Sequence, residues 1–194
     1  MTWWGTQLGG DVGGSGEPKR KYKFLVELGP YGYLYSLNSI AKPTATVQNN
    51  EYQLINHHFS YPGTVKWESI TMNLVDFGSQ SPLHLGGNAS SLWKILTNSG
   101  YSTPSSAGGL NTLEKGKSGV QLGPIVISQI GSDQTSIGRA TQVKVTEQWI
   151  LHNPIIEKIS WGDLSYAEEG FVEYELSIKY DWPEYVENPA PLLF

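Results

Sequence analysis

The sequence predicts a mainly β fold: an antiparallel β-barrel or sandwich with one flanking α-helix. Three observations lead there. Residues 171–180 read Phe-Val-Glu-Tyr-Glu-Leu-Ser-Ile-Lys-Tyr, with Val172, Tyr174, Leu176, Ile178 and Tyr180 on one face and Glu173, Glu175, Ser177 and Lys179 on the other. That period of two is what a sheet with one buried and one wet face requires. Several further apolar-alternating segments are separated by Gly- and Pro-containing turns, as in antiparallel architectures. Only one segment, 89–99, has its apolar residues at helical spacing.

In order along the chain, residues 1–18 form a Gly-rich segment with Gly9, Gly10, Gly13, Gly14 and Gly16, the composition of a flexible arm. Trp3 and Trp4 near its start are unusual for such an arm and are candidate inter-subunit contacts. The first strand is expected at Tyr22–Leu28, then a turn at Gly29-Pro30-Tyr31-Gly32, then a strand over 33–40. Residues 41–64 read as an extended excursion. Short strands near 44–48 and 51–58 are bent at Asn49-Asn50 like a hairpin. Asn49, Asn50 and Tyr52 are candidate inter-subunit contacts there.

Residues 65–75 form a strong strand whose apolar face switches partway: Val65 and Trp67 share one side, and Ile70, Met72 and Leu74 the other. A bulge or burial on both faces would explain the switch. The helix at 89–99 has Asn88 as N-cap, Gly100 as stop and Ala89, Leu92, Ile95 and Leu96 as its stripe. Residues 101–122 are rich in Ser, Gly, Thr and Lys and read as a long loop. Strands follow at 125–130, 141–151 and 155–161, with a turn at 131–140 and a loop opened by Gly162 and Asp163 before the last strand. Pro183, Pro189 and Pro191 make 183–194 a tail that cannot be a central strand. The chain thus divides into an arm (1–18), a β domain (19–182, with the 101–122 loop as an insertion) and a Pro-rich tail (183–194).

Composition narrows the function classes. Cysteine is absent, which excludes a disulfide scaffold, a thiolate metal site and a thiol nucleophile. The N-terminus has neither the basic start nor the apolar core of a signal peptide, and no run of eighteen apolar residues offers a membrane anchor. His57 and His58 are adjacent, so on a strand they point to opposite faces and do not share a metal; no His-Glu-x-x-His, EF-hand or Gly-x-Ser-x-Gly pattern occurs. Gly13-Gly14-Ser15-Gly16 does not link a strand to a helix, so it is not a phosphate cradle. Glu173 and Glu175 on one strand face are expected polar neighbours rather than a glycosidase pair. No catalytic residue, metal or cofactor is predicted, and the chain reads as a building block rather than an enzyme.

Charge is low at 16% and the net charge is −5. Ten of the eighteen acids fall after residue 145, opposed there only by Lys158 and Lys179, whereas Lys19, Arg20, Lys21 and Lys23 form a basic knot at the other end. Each acid taken singly is ordinary solvated surface. Collected on one surface of an assembly, they would repel nucleic acid instead of binding it. Low charge with seven Trp and eleven Tyr suits a protein that covers its surface with partners. It also suits a carbohydrate-binding β-sandwich, whose mark would be a row of aromatics on a wet face.

The order of elements resembles the tail-tube proteins of contractile-tailed, T-even-like bacteriophages. Val143-Lys-Val-Thr-Glu-Gln-Trp149-Ile-Leu-His-Asn-Pro154 is similar to that family's charged strand running into a Trp and Pro corner. Ile159-Ser-Trp161-Gly-Asp163 resembles its short strand before an acidic loop, and Phe171–Tyr180 with Asp181-Trp182 its closing strand. Tyr22–Leu28 resembles the opening strand, and Trp67–Val75 the strand ahead of the helix. The resemblance spans about residues 20–186; the arm, the 101–122 loop and the tail have no counterpart in it. It implies a structural subunit forming stacked, hexameric rings around a channel, inside a contractile sheath and on a baseplate. DNA would pass through without specific binding. The implied location is the virion, after assembly in the host cytoplasm, and the chain is either the main tube subunit or a baseplate-proximal relative. Glu173 and Glu175 are the candidate lumen-facing residues. The 41–64 excursion, the 101–122 loop and the arm are the candidates for contacts between rings.

Overall fold

The computed structural model describes residues 19–76, 89–104, 112–137, 140–167 and 169–193; for 132–137, 140–142 and Leu193 it describes the backbone alone. Trp3, Trp4 and Asn88 lie outside the described residues.

Two antiparallel sheets face each other across one core. The strands run β1 (Phe24–Leu28), β2 (Gly32–Tyr33), β3 (Leu37–Ile40), β4 (Ala45–Leu54), β5 (His57–Trp67), β6 (Ile70–Val75), β7 (Ile125–Ile137), β8 (Ala140–His152), β9 (Ile155–Ser160), β10 (Glu173–Lys179), β11 (Trp182–Glu187) and β12 (Leu192–Leu193). The larger sheet has the order β11-β8-β7-β1-β2, with β12 also on β8; the smaller has the order β3-β6-β10-β9; β4 and β5 pair only with each other. Two helices, α1 (Ala89–Asn98) and α2 (Lys115–Leu122), lie between β6 and β7 in the chain.

The alternation read in 171–180 sets the core. Tyr174, Leu176, Ile178 and Tyr180 are buried, as are Ile70, Met72 and Leu74 of the neighbouring β6. Their pairing register (Tyr174 with Leu74, Leu176 with Met72, Ile178 with Ile70) brings the inward residues of the two strands side by side. Val26, Leu28, Ile125, Ile127 and Leu151 of the larger sheet close on them from the other side, and Leu92, Ile95 and Leu122 of the helices complete the cluster. Burying these side chains removes apolar surface from water, the dominant favourable term for a domain of this size.

The predicted mainly β, antiparallel architecture is what forms, with two strand bounds moved (the strand expected over 33–40 is split between the two sheets as β2 and β3, and β7 and β8 extend through the turn expected at 131–140) and four larger differences. The 65–75 segment is two strands: β5 ends at Trp67, Glu68 and Ser69 break the ladder, and β6 begins at Ile70 with its own parity. The switch of apolar face is therefore a change of sheet rather than a bulge. The excursion turns at Ile55-Asn56, not at Asn49-Asn50, which sit inside β4. The ladder slips between Val47 and Asn49, and a Cβ on Gly63 would meet the Gln48 carbonyl oxygen at 2.8 Å. Glycine is required there by that close approach.

The third difference is α2, inside the segment read as loop. Two glycines in Lys-Gly-Lys-Ser-Gly-Val-Gln-Leu depress its intrinsic helicity, but Leu122 and Ser118 are buried, so tertiary packing overrides propensity. A Cβ on Gly123, just beyond α2, would lie 2.8 Å from the Gly29 Cα; the two glycines let the helix end meet the β1–β2 turn. The fourth is the C-terminal segment. It is not a separate tail, since β11 and β12 pair with β8 and extend the larger sheet past residue 182. Pro183 is accommodated because β11 is an edge strand, where a missing N–H removes no ladder bond.

Candidate assembly surfaces

The β4–β5 hairpin is the first candidate. Every residue of β4 is exposed, and every residue of β5 except Trp67. Tyr52 stands opposite Phe59 and Asn50 opposite Tyr61, so one face of the ribbon carries Tyr52, Leu54, Phe59 and Tyr61. All four are about half exposed, and Ile55 at the tip is 83% exposed. Ile55 also holds φ at +53°, a region a β-branched residue adopts only under strain. A lone two-stranded ribbon is marginal in water, and an apolar ribbon of this length standing away from both sheets offers a surface that a partner would cover. Asn49, Asn50 and Tyr52, expected as inter-subunit contacts, all lie on it. His57 and His58 lie near its tip.

The outward face of the smaller sheet is the second. Glu173 and Glu175 lie there, opposite the buried face, with Ser39, Thr71, Asn73, Lys158 and Ser177. Glu173 accepts a hydrogen bond from Asn38 Nδ2 (3.1 Å), Lys158 Nζ donates to Glu175 Oε1 (3.0 Å), and Asn73 Nδ2 donates to Ser39 Oγ (3.1 Å). The face is polar and hydrogen-bonded within itself, and these residues include no aromatic that would stack on a sugar.

The third surface is a groove of about 980 Å³ along β3 and β1. Phe24, Leu37 and Ile40 line it, and Lys19, Arg20, Lys21 and Lys42 stand around it. Two of these cations, Lys19 and Lys42, share a carboxylate of β8 that the sequence alone places among the surface acids. Glu147 is only 7% exposed and accepts hydrogen bonds from both Lys19 and Lys42. Burial pushes its carboxyl up, but the two ammonium groups outweigh burial and hold it below the usual carboxylate range. The hydrogen bond to Glu147 holds the Lys19 ammonium above its ordinary value. Glu147 thereby ties the start of the described chain and the β3–β4 link to β8. The signal was present in the parity of β8: Glu147 shares its side with Val143, Val145 and Leu151, all buried.

Nearby, Tyr174 donates to Asp76. Burial, and then the Asp76 carboxylate, push the phenol up to about 12. Among the described residues no group of three His, Cys, Asp or Glu side chains is placed to hold a metal ion, and no helix is long and apolar enough to cross a membrane.

No protein-family model matches the chain, and no curated protein matches it in sequence. Solved structures do match its fold. One is a chain of an extracellular contractile injection system, in the PVC sheath/tube terminator in its extended state: TM-score 0.60, 18% identity, covering 88% of this chain and 97% of that one. A second is in the anti-feeding prophage tube-terminating cap: TM-score 0.60, 17% identity, covering 96% and 99%. A third is in the extended PVC sheath–tube complex: TM-score 0.59, 18% identity, covering 88% and 92%. The fold read from the sequence as tail-tube-like is thus shared with chains of contractile injection machines.

Proposed function

We propose that this chain is a structural subunit of the inner tube of a contractile, tail-like particle. In this reading six copies close into a ring, rings stack into a tube, and a sheath and baseplate surround it. The carrying observation is the β4–β5 hairpin: an apolar ribbon exposed on both faces, on a fold shared with chains of contractile tube assemblies. A ring joined along its sheets leaves such a projection free to bridge to the next ring. The polar outward face of the smaller sheet, with Glu173 and Glu175, is the surface suited to line a channel, where carboxylates keep an anionic cargo such as DNA from adhering. A phage virion is the location that goes with a DNA cargo.

A tube-terminating role is the second reading, favoured by the near-complete coverage of the terminating-cap chain. Tube length separates the two. Negative-stain microscopy of the purified protein is expected to show tubes of uniform diameter and open-ended length for a tube subunit, and single or paired rings for a terminator. Tyr52→Asp combined with Phe59→Asp is expected to abolish stacking while leaving rings and the melting temperature within about 2 °C of wild type, since neither residue enters the core. A protein that stays monomeric at high concentration overturns both readings.

A further inference from the structure

The segment joining β9 to β10, residues 161–172, is the most exposed apolar stretch of the described domain. Leu164 is 87% exposed, Phe171 86%, and Tyr166 fully exposed. Beside them on the same segment stand the acids Asp163 and Glu169. Bare apolar side chains of this size, framed by charge, mark a segment built to be covered.

The groove along β3 has the complementary character. Its walls are apolar at Phe24, Leu37 and Ile40, Tyr35 stands 67% exposed at its lip, and its described lining carries the cations Lys19, Arg20, Lys21 and Lys42 without a carboxylate. Position matters as much as chemistry. The smaller sheet has the order β3-β6-β10-β9, so the groove runs along one edge strand while the segment leaves the opposite edge strand. No residue of 161–172 lines the groove of its own chain. A contact joining the β9 side of one copy to the β3 side of the next is head-to-tail, the kind that repeats around an axis and closes into a ring when the rotation permits.

We propose that the segment between β9 and β10 of one copy docks into the β3 groove of the next copy, seating Leu164, Tyr166 and Phe171 against its apolar walls and Asp163 and Glu169 against Lys21 and its neighbours. The occupant is a second copy of this chain. The inference rests on the ring-forming reading above and names the surfaces that join neighbours within a ring.

The cysteine-free chain allows a direct test. Tyr35→Cys and Leu164→Cys are placed together in the full chain, which is assembled and oxidised with copper phenanthroline. The expected result is a reducible ladder of cross-linked oligomers, with only dimers when the two single variants are mixed. Asp163→Lys with Glu169→Lys is expected to lower ring yield at least tenfold, with Lys21→Glu recovering part of it. Normal rings without a ladder, an intramolecular disulfide, or cross-linking of Tyr35→Cys to Trp3→Cys instead would each overturn the docking while leaving the ring intact. A wild-type protein that forms no rings would fail the tube reading first, and the docking with it.

Discussion

Two antiparallel ribbons of this molecule are built alike and used oppositely. The β6–β10 pair is six to seven residues long, buries Ile70, Met72, Leu74, Tyr174, Leu176 and Ile178, and sits in the middle of a four-stranded sheet. The β4–β5 pair is ten and eleven residues long and has no fully buried residue; only Trp67, at its base, packs against the core. Hydrogen-bonded ladders are common to both, so ladder bonds do not distinguish a core from a projection. The distinction is what stands against the side chains: a second sheet in one case, solvent in the other. Strand formation and strand burial are separate properties, and only the second makes a domain.

Equivalent substitutions in the two ribbons break that comparison most sharply. Tyr174→Asp places a carboxylate in the core beside Asp76 and is expected to cost about 4 kcal/mol or more, read as loss of the cooperative thermal transition. A folded, assembled Tyr174→Asp protein would invert the face assignment of β10. The Tyr52→Asp and Phe59→Asp pair, on the hairpin, is expected to leave that transition in place and remove stacking alone.

A smaller effect is expected at Glu147. Replacing it by Gln leaves two cations around a neutral amide, a loss of about 1–3 kcal/mol in urea unfolding at neutral pH. Its carboxyl titrates lower folded than unfolded, where the reference value is 4.5. The stabilisation is therefore fully present above that value and lost as pH falls through the lower, folded one. The variant should show a flatter dependence of stability on pH below about 5, and an unchanged profile would remove Glu147 as the clasp. The smallest effect is expected at Glu175→Gln. Its partner Lys158 is exposed, and such pairs contribute about 0–1 kcal/mol.

How far the sequence foretold this structure follows the same divide. β10 was legible because Val172–Tyr180 alternates without interruption, and α1 because Leu92 and Ile95 recur at helical spacing. α2 was not, because Leu122 is buried by the β1–β2 turn and α1, elements distant in sequence. The hairpin turn was misplaced because Asn49-Asn50 carries turn chemistry while the chain bends at Ile55-Asn56, where the β-branched Ile55 takes a positive φ that its propensity disfavours. Among the candidate contacts, Asn49, Asn50 and Tyr52 fall together on one projection, whereas Glu147 and the Leu164–Phe171 stretch were missed. The first needed its parity compared with Val143 and Val145; the second needed exposure, which only the packed domain reveals.

The C-terminal strands carry a further consequence. By lying along β8, Trp182–Glu187 and Leu192–Leu193 occupy the hydrogen-bonding groups of that strand's free side, and the far margin of the same sheet is a two-residue strand. The free margin of the larger sheet is therefore moved from the thirteen-residue β8 to the six-residue β11, where Pro183 leaves a gap in the donors a further strand could use.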